Sequence, residues 1–152
     1  MERNITENWL ESKGFIREND FYTLEKGDTV FGYDFKDGYF WIDGEEIYAM
    51  KNTRKESEIN DVCFVCGFDL NFRPIDNLKY FEKKNIERDW LVWEGFVLDD
   101  KGKWNRDFGS TRMTYNFKKK HLSILTKDKK EGFEGKVDNE ELFRKIKYYI
   151  FE

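Results

Sequence analysis

Asn4-Ile5-Thr6-Glu7-Asn8-Trp9-Leu10, followed by Gly14-Phe15, returns 81 residues later as Asn85-Ile86-Glu87-Arg88-Asp89-Trp90-Leu91, followed by Gly95-Phe96. After a one-residue insertion the correspondence continues at an offset of 82. Phe31, Tyr33 and Phe35 then fall on Met113, Tyr115 and Phe117, and Phe40 and Ile42 fall on Leu122 and Ile124. Apolar positions fall on apolar positions, and a repeat at a fixed period constrains the architecture before any single element is assigned. The chain has 152 residues. One copy, about 75 residues, could bury only a marginal core alone, so the two are expected to pack together.

Local signals fill in each copy. Thr6 is placed to cap a helix from Glu7 to Lys13, with Glu7 in its first turn and Gly14 positioned for the left-handed conformation that closes it. The equivalent helix starts at Asn85 or Glu87 and closes at Gly95. Period-two alternation then marks strands: Phe31, Tyr33 and Phe35 share one face, as do Met113, Tyr115 and Phe117. Asp37-Gly38 and Lys118-Lys119-Lys120 fill the turns before strands at Tyr39 to Asp43 and His121 to Thr126. First strands are expected near Phe21 to Glu25 and Lys103 to Asp107, with a further strand at Glu46 to Lys51.

Helices are expected to close both copies. Asp138-Asn139-Glu140-Glu141 is a capping-box pattern, and Leu142, Phe143, Ile146, Tyr149 and Ile150 follow at helical spacing. In the first copy Ser57 could cap a helix carrying Ile59, Val62, Cys63 and Cys66. Pro74, with Ile75, Leu78 and Phe81 behind it, suggests a short helix between the copies. The expected fold is therefore α+β: two tandem pseudo-symmetric repeats, each a helix, a three- to four-stranded antiparallel sheet and a helix. Repeat 1 spans 1–72, a linker helix 73–84 and repeat 2 85–152, packed as one globular unit.

Composition narrows the class. Charged residues make up 38% and aromatic residues 18%, with one Pro, as in a folded, aromatic-cored domain rather than a disordered segment. No apolar run approaches the ~20 residues that span a membrane, and the first residues lack the apolar stretch of a signal peptide, so the expected place is the cytoplasm. Cys63 and Cys66 are too few and too close for a secreted disulfide framework. The net charge of −4 conceals a split. Residues 1–80 hold 10 Lys and Arg against 17 Asp and Glu, a net −7, whereas residues 81–152 hold 17 against 14, a net +3.

Candidate sites follow from that split and from the few chemically distinctive side chains. Cys63-x-x-Cys66 has metal or redox spacing, but a tetrahedral zinc site needs four ligands and the one histidine, His121, lies in the other copy. The two cysteines also sit late in their helix, away from the N-terminus that would activate a redox thiol, so packing is the ordinary account of both. His121 lacks a positioned partner for acid–base work. No phosphate loop, nucleophile elbow, HExxH pattern or dinucleotide fingerprint occurs, and neither an enzyme nor a cofactor is expected.

The charged turns are the remaining candidates. Arg112, Lys118, Lys119, Lys120, His121, Lys127, Lys129 and Lys130 are read as a basic cluster gathered at one end of the sheet, able to meet phosphate or a partner. Asp34, Asp37, Asp43, Glu45 and Glu46 are read as an acidic docking face. Both can equally be ordinary solvated charge.

The opening Ile5-Thr6-Glu7-x-Trp9-Leu10-x-x-x-Gly14-Phe15, with the aromatic strands behind it and a helix running into Gly67-Phe68-Asp69-Leu70, resembles small uncharacterised proteins of phages and mobile elements of Bacteroidota. The resemblance covers residues 4–70 and departs at 60–66, where those proteins usually carry a polar helix rich in His and Gln. It implies a setting in which small proteins bind and block host proteins, CRISPR effectors among them. The expected function is a non-enzymatic, anti-CRISPR-like inhibitor of a host nucleic-acid-handling protein, with possible RNA contact and no membrane partner. The alternative is direct RNA or DNA binding by the basic cluster.

Overall fold

The computed structural model describes residues 3–81, 84–128 and 131–151. The first half runs α1 (Glu7–Ser12), β1 (Ile16–Glu18), β2 (Phe21–Lys26), β3 (Thr29–Asp34), β4 (Tyr39–Asp43), β5 (Tyr48–Asn52) and α2 (Glu56–Val65). After one 3-10 turn at Asn77–Tyr80, the second half runs α3 (Arg88–Trp93), β6 (Val97–Leu98), β7 (Trp104–Phe108), β8 (Thr111–Asn116), β9 (His121–Thr126), β10 (Gly132–Lys136) and α4 (Glu140–Phe151).

All ten strands form one antiparallel sheet, in the order β1-β2-β3-β4-β5-β10-β9-β8-β7-β6. This overturns the expected fold of two tandem repeats, each with its own three- to four-stranded sheet between helices. The physical reason is edge pairing. A five-stranded meander leaves the open hydrogen-bonding edge of its last strand exposed, and β5 and β10 satisfy one another across the middle of the molecule. Met50 lies opposite Gly132, Ala49 opposite Phe133 and Tyr48 opposite Glu134. The strands missing from the sequence reading are β1 and β6, of three and two residues, and the glycine-bearing β10.

One face of this sheet is covered by the helices. Phe31, Tyr33, Phe40, Ile42 and Ala49 from the first half, and Met113, Tyr115, Leu122, Ile124 and Phe133 from the second, are all buried there. Each of the Phe, Ile, Leu and Met side chains among them would contribute about 1.5–3 kcal/mol on leaving water, and the methyl of Ala49 less. α2 and α4 pack on one another over the seam. Phe31 meets Phe68 and Phe72 edge-on at 4.9 Å, and Trp90 meets Phe143 edge-on at 5.2 Å. Trp90 is buried with the core, but Trp9 at the matching position is only half-buried.

The matched positions build matched contacts. The Tyr33 hydroxyl donates to the Thr53 carbonyl at 2.7 Å, and the Tyr115 hydroxyl donates to the Val137 carbonyl at 2.7 Å. The helix caps are not matched: Thr6 Oγ1 accepts from the Trp9 amide at 3.1 Å to start α1 and Asn139 Oδ1 accepts from the Leu142 amide at 3.0 Å to start α4, whereas Glu87 before α3 and Lys55 before α2 make no side-chain cap. Gly14 and Gly95 close α1 and α3 at φ of +97° and +95°, a region that an L side chain avoids. The seam carries one contact without a counterpart. Lys51, 7% exposed, donates from Nζ to the Ile150 carbonyl at 2.9 Å and sits 3.4 Å from Glu131. Gly135 stands at the matching position.

Among the described residues no helix is long and apolar enough to cross a membrane.

Candidate binding surface

The topology rearranges the charged turns. In an antiparallel meander consecutive turns lie at opposite ends of the sheet. Asp34 and Asp37, at the β3–β4 turn, therefore share an end with Arg112, near the start of β8, and Lys127, in the β9–β10 turn. Asp43, Glu45 and Glu46, around the β4–β5 turn, lie at the other end with Lys118, Lys119, Lys120 and His121. Lys129 and Lys130 lie outside the described residues. The expected single-ended basic cluster is thus divided, and so is the acidic face. What the fold does bring together is acid with base: Asp43, Glu45 and Glu46 line a concavity of about 590 Å³ with His121, Glu134 and Lys136.

Cys63 and Cys66 are free thiols inside α2 and at its end, buried against the core. Burial pushes both thiols up, Cys63 further under the influence of Cys66 and Asp69, so neither is a thiolate at neutral pH. Among the described residues no group of three His, Cys, Asp or Glu side chains is disposed to hold a metal ion.

The strand register defines a surface that the turn charges do not. Residues directly opposite on neighbouring strands share a face, and the face without helices carries three rows. The middle row reads Ile16, Thr23, Gly32, Trp41 and Met50, then crosses the seam to Gly132, Leu125, Arg112 and Asp107. On one side of it run Glu18, Phe21, Asp34, Tyr39 and Asn52. On the other run Glu25, Val30, Asp43 and Tyr48, continued by Glu134, Ser123, Thr114, Asn105 and Val97.

In the first half these rows make an aromatic patch with an acidic border. The Trp41 ring lies flat over Gly32, where a Cβ would run into it, and meets Phe21 edge-on at 5.8 Å. Tyr39, Met50 and Tyr48 extend the patch towards the seam. Ile16 is 68% exposed and Phe21 44%, with Leu125 across the seam at 42%, while Tyr39, Trp41, Tyr48 and Met50 are half-buried. Every charged side chain that the strands of this half direct to the face is a carboxylate: Glu18, Glu25, Asp34 and Asp43. The Tyr48 hydroxyl reports that field. Burial raises it above the ordinary tyrosine range, and Asp43 and Glu134 raise it further.

The second half carries polar side chains at the same places. Thr114 Oγ1 donates to Asn105 Oδ1 at 2.9 Å, Asn105 Nδ2 donates to Asp99 Oδ2 at 2.8 Å, and Ser123 Oγ donates to Glu134 Oε1 at 3.2 Å. Asp99 also accepts from the Lys103 and Lys101 amides, which hold its carboxyl below the usual carboxylate range, the Lys103 bond most.

Phe21, Trp41, Tyr48 and Met50 were not among the residues singled out from sequence. A signal for two of the rows was present: Tyr39-Phe40-Trp41-Ile42 is apolar at every position, whereas a strand with one wet face alternates, as His121-Leu122-Ser123-Ile124 does. The chain matches no protein-family model, and no curated protein and no solved structure is significantly similar to it.

Proposed function

We propose that this chain is a non-catalytic binding protein of a phage or mobile element that acts in the bacterial cytoplasm. It docks the uncovered face of its first half onto the basic surface of a host nucleic-acid-handling protein and inhibits it. An anti-CRISPR role against a CRISPR effector is one instance of that class.

The observation that carries this reading is the conjunction of exposed and half-buried aromatic rings with a border that, within the first half, carries only carboxylates. A large apolar patch on a water-facing sheet is the kind of surface that partners cover. Aromatic faces attract arginine and lysine, and the surrounding carboxylates steer a cationic surface towards them. A polyanion would be repelled by the same border, which favours a basic protein over bare nucleic acid at this face. Nucleic-acid-handling proteins present such basic surfaces. Buried Cys63 and Cys66 need no role beyond packing in this account.

The test is capture of partners from a bacterial lysate, with and without nuclease, by the wild-type chain and by two variants. Trp41→Ser with Asp43→Lys alters the proposed face; Thr114→Val alters the other half. A nucleic-acid-handling protein that survives nuclease, is lost by the first variant and kept by the second, and loses activity when the purified chain is added, is the expected result. Capture that vanishes with nuclease, or that both variants retain equally, would overturn it.

A further inference from the structure

On the helix-covered side of the second half, away from the aromatic patch, Arg88, Lys118 and Lys120 surround a concavity of about 810 Å³ whose apolar walls are Leu98, Trp104 and Phe117. No carboxylate lines it. The Arg88 guanidinium lies over the Phe117 ring, its carbon 4.8 Å from the centroid, a contact that still leaves N–H donors for an acceptor. Among the described residues no carboxylate forms an ion pair with Arg88, Lys118 or Lys120.

The repeat shows that two of these three cations are specific to this half. The aromatic pair is kept, since Tyr22 and Phe35 stand where Trp104 and Phe117 stand and meet edge-on at 5.5 Å. The charge is kept only at Lys118, which Lys36 matches: Glu7 occupies the place of Arg88, and Gly38 that of Lys120. Gly38 and Lys120 both have positive φ, +72° and +56°. Glycine adopts that conformation freely and lysine does not, so a lysine held there is a local strain of the kind that functional sites retain. It places an ammonium group at the mouth of the concavity.

We infer that this concavity is a binding site for a nucleotide unit, a phosphate ester carrying a planar base. The three cations would meet the phosphate, with Arg88 able to bind two of its oxygens at once, and the apolar walls would take the base. A free nucleotide and a residue of a single strand present that same chemistry. The inference does not rest on the protein-docking reading, because the two surfaces lie on opposite sides of the sheet and share no residue.

The test uses the full chain and three probes: a labelled single strand of about ten thymidines, AMP, and inorganic phosphate, each titrated at about 50 mM salt. Saturable binding of the strand, of AMP or of both, with Kd below about 1 mM, is expected. Displacement of the strand by AMP assigns a free nucleotide, and strand binding indifferent to AMP assigns a chain of nucleotides. Lys118→Glu with Lys120→Glu should weaken binding about tenfold or more, and Arg88→Lys, which keeps the charge but loses the planar fork, by less. Lys127→Glu, at the other end of the sheet, should change nothing. Circular dichroism of each variant separates loss of binding from loss of fold. No binding of either nucleotide probe below about 1 mM would overturn the inference. So would binding that a folded Lys118→Glu, Lys120→Glu variant retains, or phosphate binding as tightly as AMP.

Discussion

The two halves of the sheet agree on the face that the helices cover and disagree on the face that water covers. Tyr33 and Tyr115 reach carbonyls at matching places, those of Thr53 and Val137, whereas Trp41 gives way to Ser123, Phe21 to Lys103, Met50 to Glu134 and Gly32 to Thr114. Packing explains the agreement, since a buried position tolerates little change in volume or polarity. It does not demand the divergence. An aromatic, acid-bordered patch on one half and a hydrogen-bonded polar surface on the other are two different uses of one scaffold.

The sharpest way to break that contrast is Gly32→Val. The side chain would enter the space of the Trp41 ring and lift it from the sheet. A loss of about 2–3 kcal/mol in urea-induced unfolding is expected, together with loss of any partner held by the patch. Unchanged stability would mean that Trp41 rests on Gly32 without packing there.

Next in size is Lys51→Met at the seam. The substitution keeps the apolar length of the side chain but leaves the Ile150 carbonyl at the end of α4 without its donor and Glu131 without its cation. A cost of about 1–3 kcal/mol is expected, because the carbonyl is the buried partner and the half-exposed carboxylate can recover water. The loss should be visible as a lower urea midpoint with an unchanged slope; a changed slope would show the two halves separating rather than one sheet unfolding.

How much of this was legible in the chain depends on range. Helix starts at Thr6 and Asn139 and the strands carrying Phe31, Tyr33, Met113 and Tyr115 are written in a few adjacent residues. The seam is not, because nothing local says that β5 should meet β10, and Gly132 and Gly135 deprive β10 of strand propensity. Space is tighter at Gly135, where a Cβ would lie 2.7 Å from the terminal methyl of Ile47, than at Gly132, where it would lie 3.3 Å from a methyl of Leu125. The charged turns misled for a related reason. Neighbours in sequence need not be neighbours in space, because a meander sends successive turns to opposite ends. The open-face patch left a local trace only in Tyr39-Phe40-Trp41-Ile42, where the expected alternation fails.

Tyr33→Phe and Tyr115→Phe test the half of the comparison that should hold. Each removes one buried hydrogen bond of 2.7 Å and should cost about 1 kcal/mol, nearly equally. Their pH dependence has a definite sign. Burial raises both hydroxyls above the ordinary tyrosine range, so their contribution is complete below the unfolded value near ~10 and is lost as pH rises past it. The buried Cys63 and Cys66 thiols act in the same direction from about pH 8.5 upward. Stability of the wild type should therefore fall progressively in alkali, and the double Phe variant should fall less steeply above pH ~10. Parallel curves would show that the hydroxyls ionise in the fold as they do in the unfolded chain.

Thr114→Val is the smallest and the most discriminating. The substitution keeps a β-branched side chain suited to a strand and removes only the hydroxyl that donates to Asn105. Asn105 is half-exposed and retains its own bond to Asp99, so water can replace the missing donor and the cost should be less than about 1 kcal/mol. The site also gains an apolar surface directly across from Ser123, which makes it a small step towards the surface of the first half. If polar character at this place serves only solvation, capture of a partner by the aromatic patch will be indifferent to the change. If partner capture falls although urea unfolding is unchanged, the partner reaches across the seam, and the polar half of the sheet belongs to the same interface as the aromatic one.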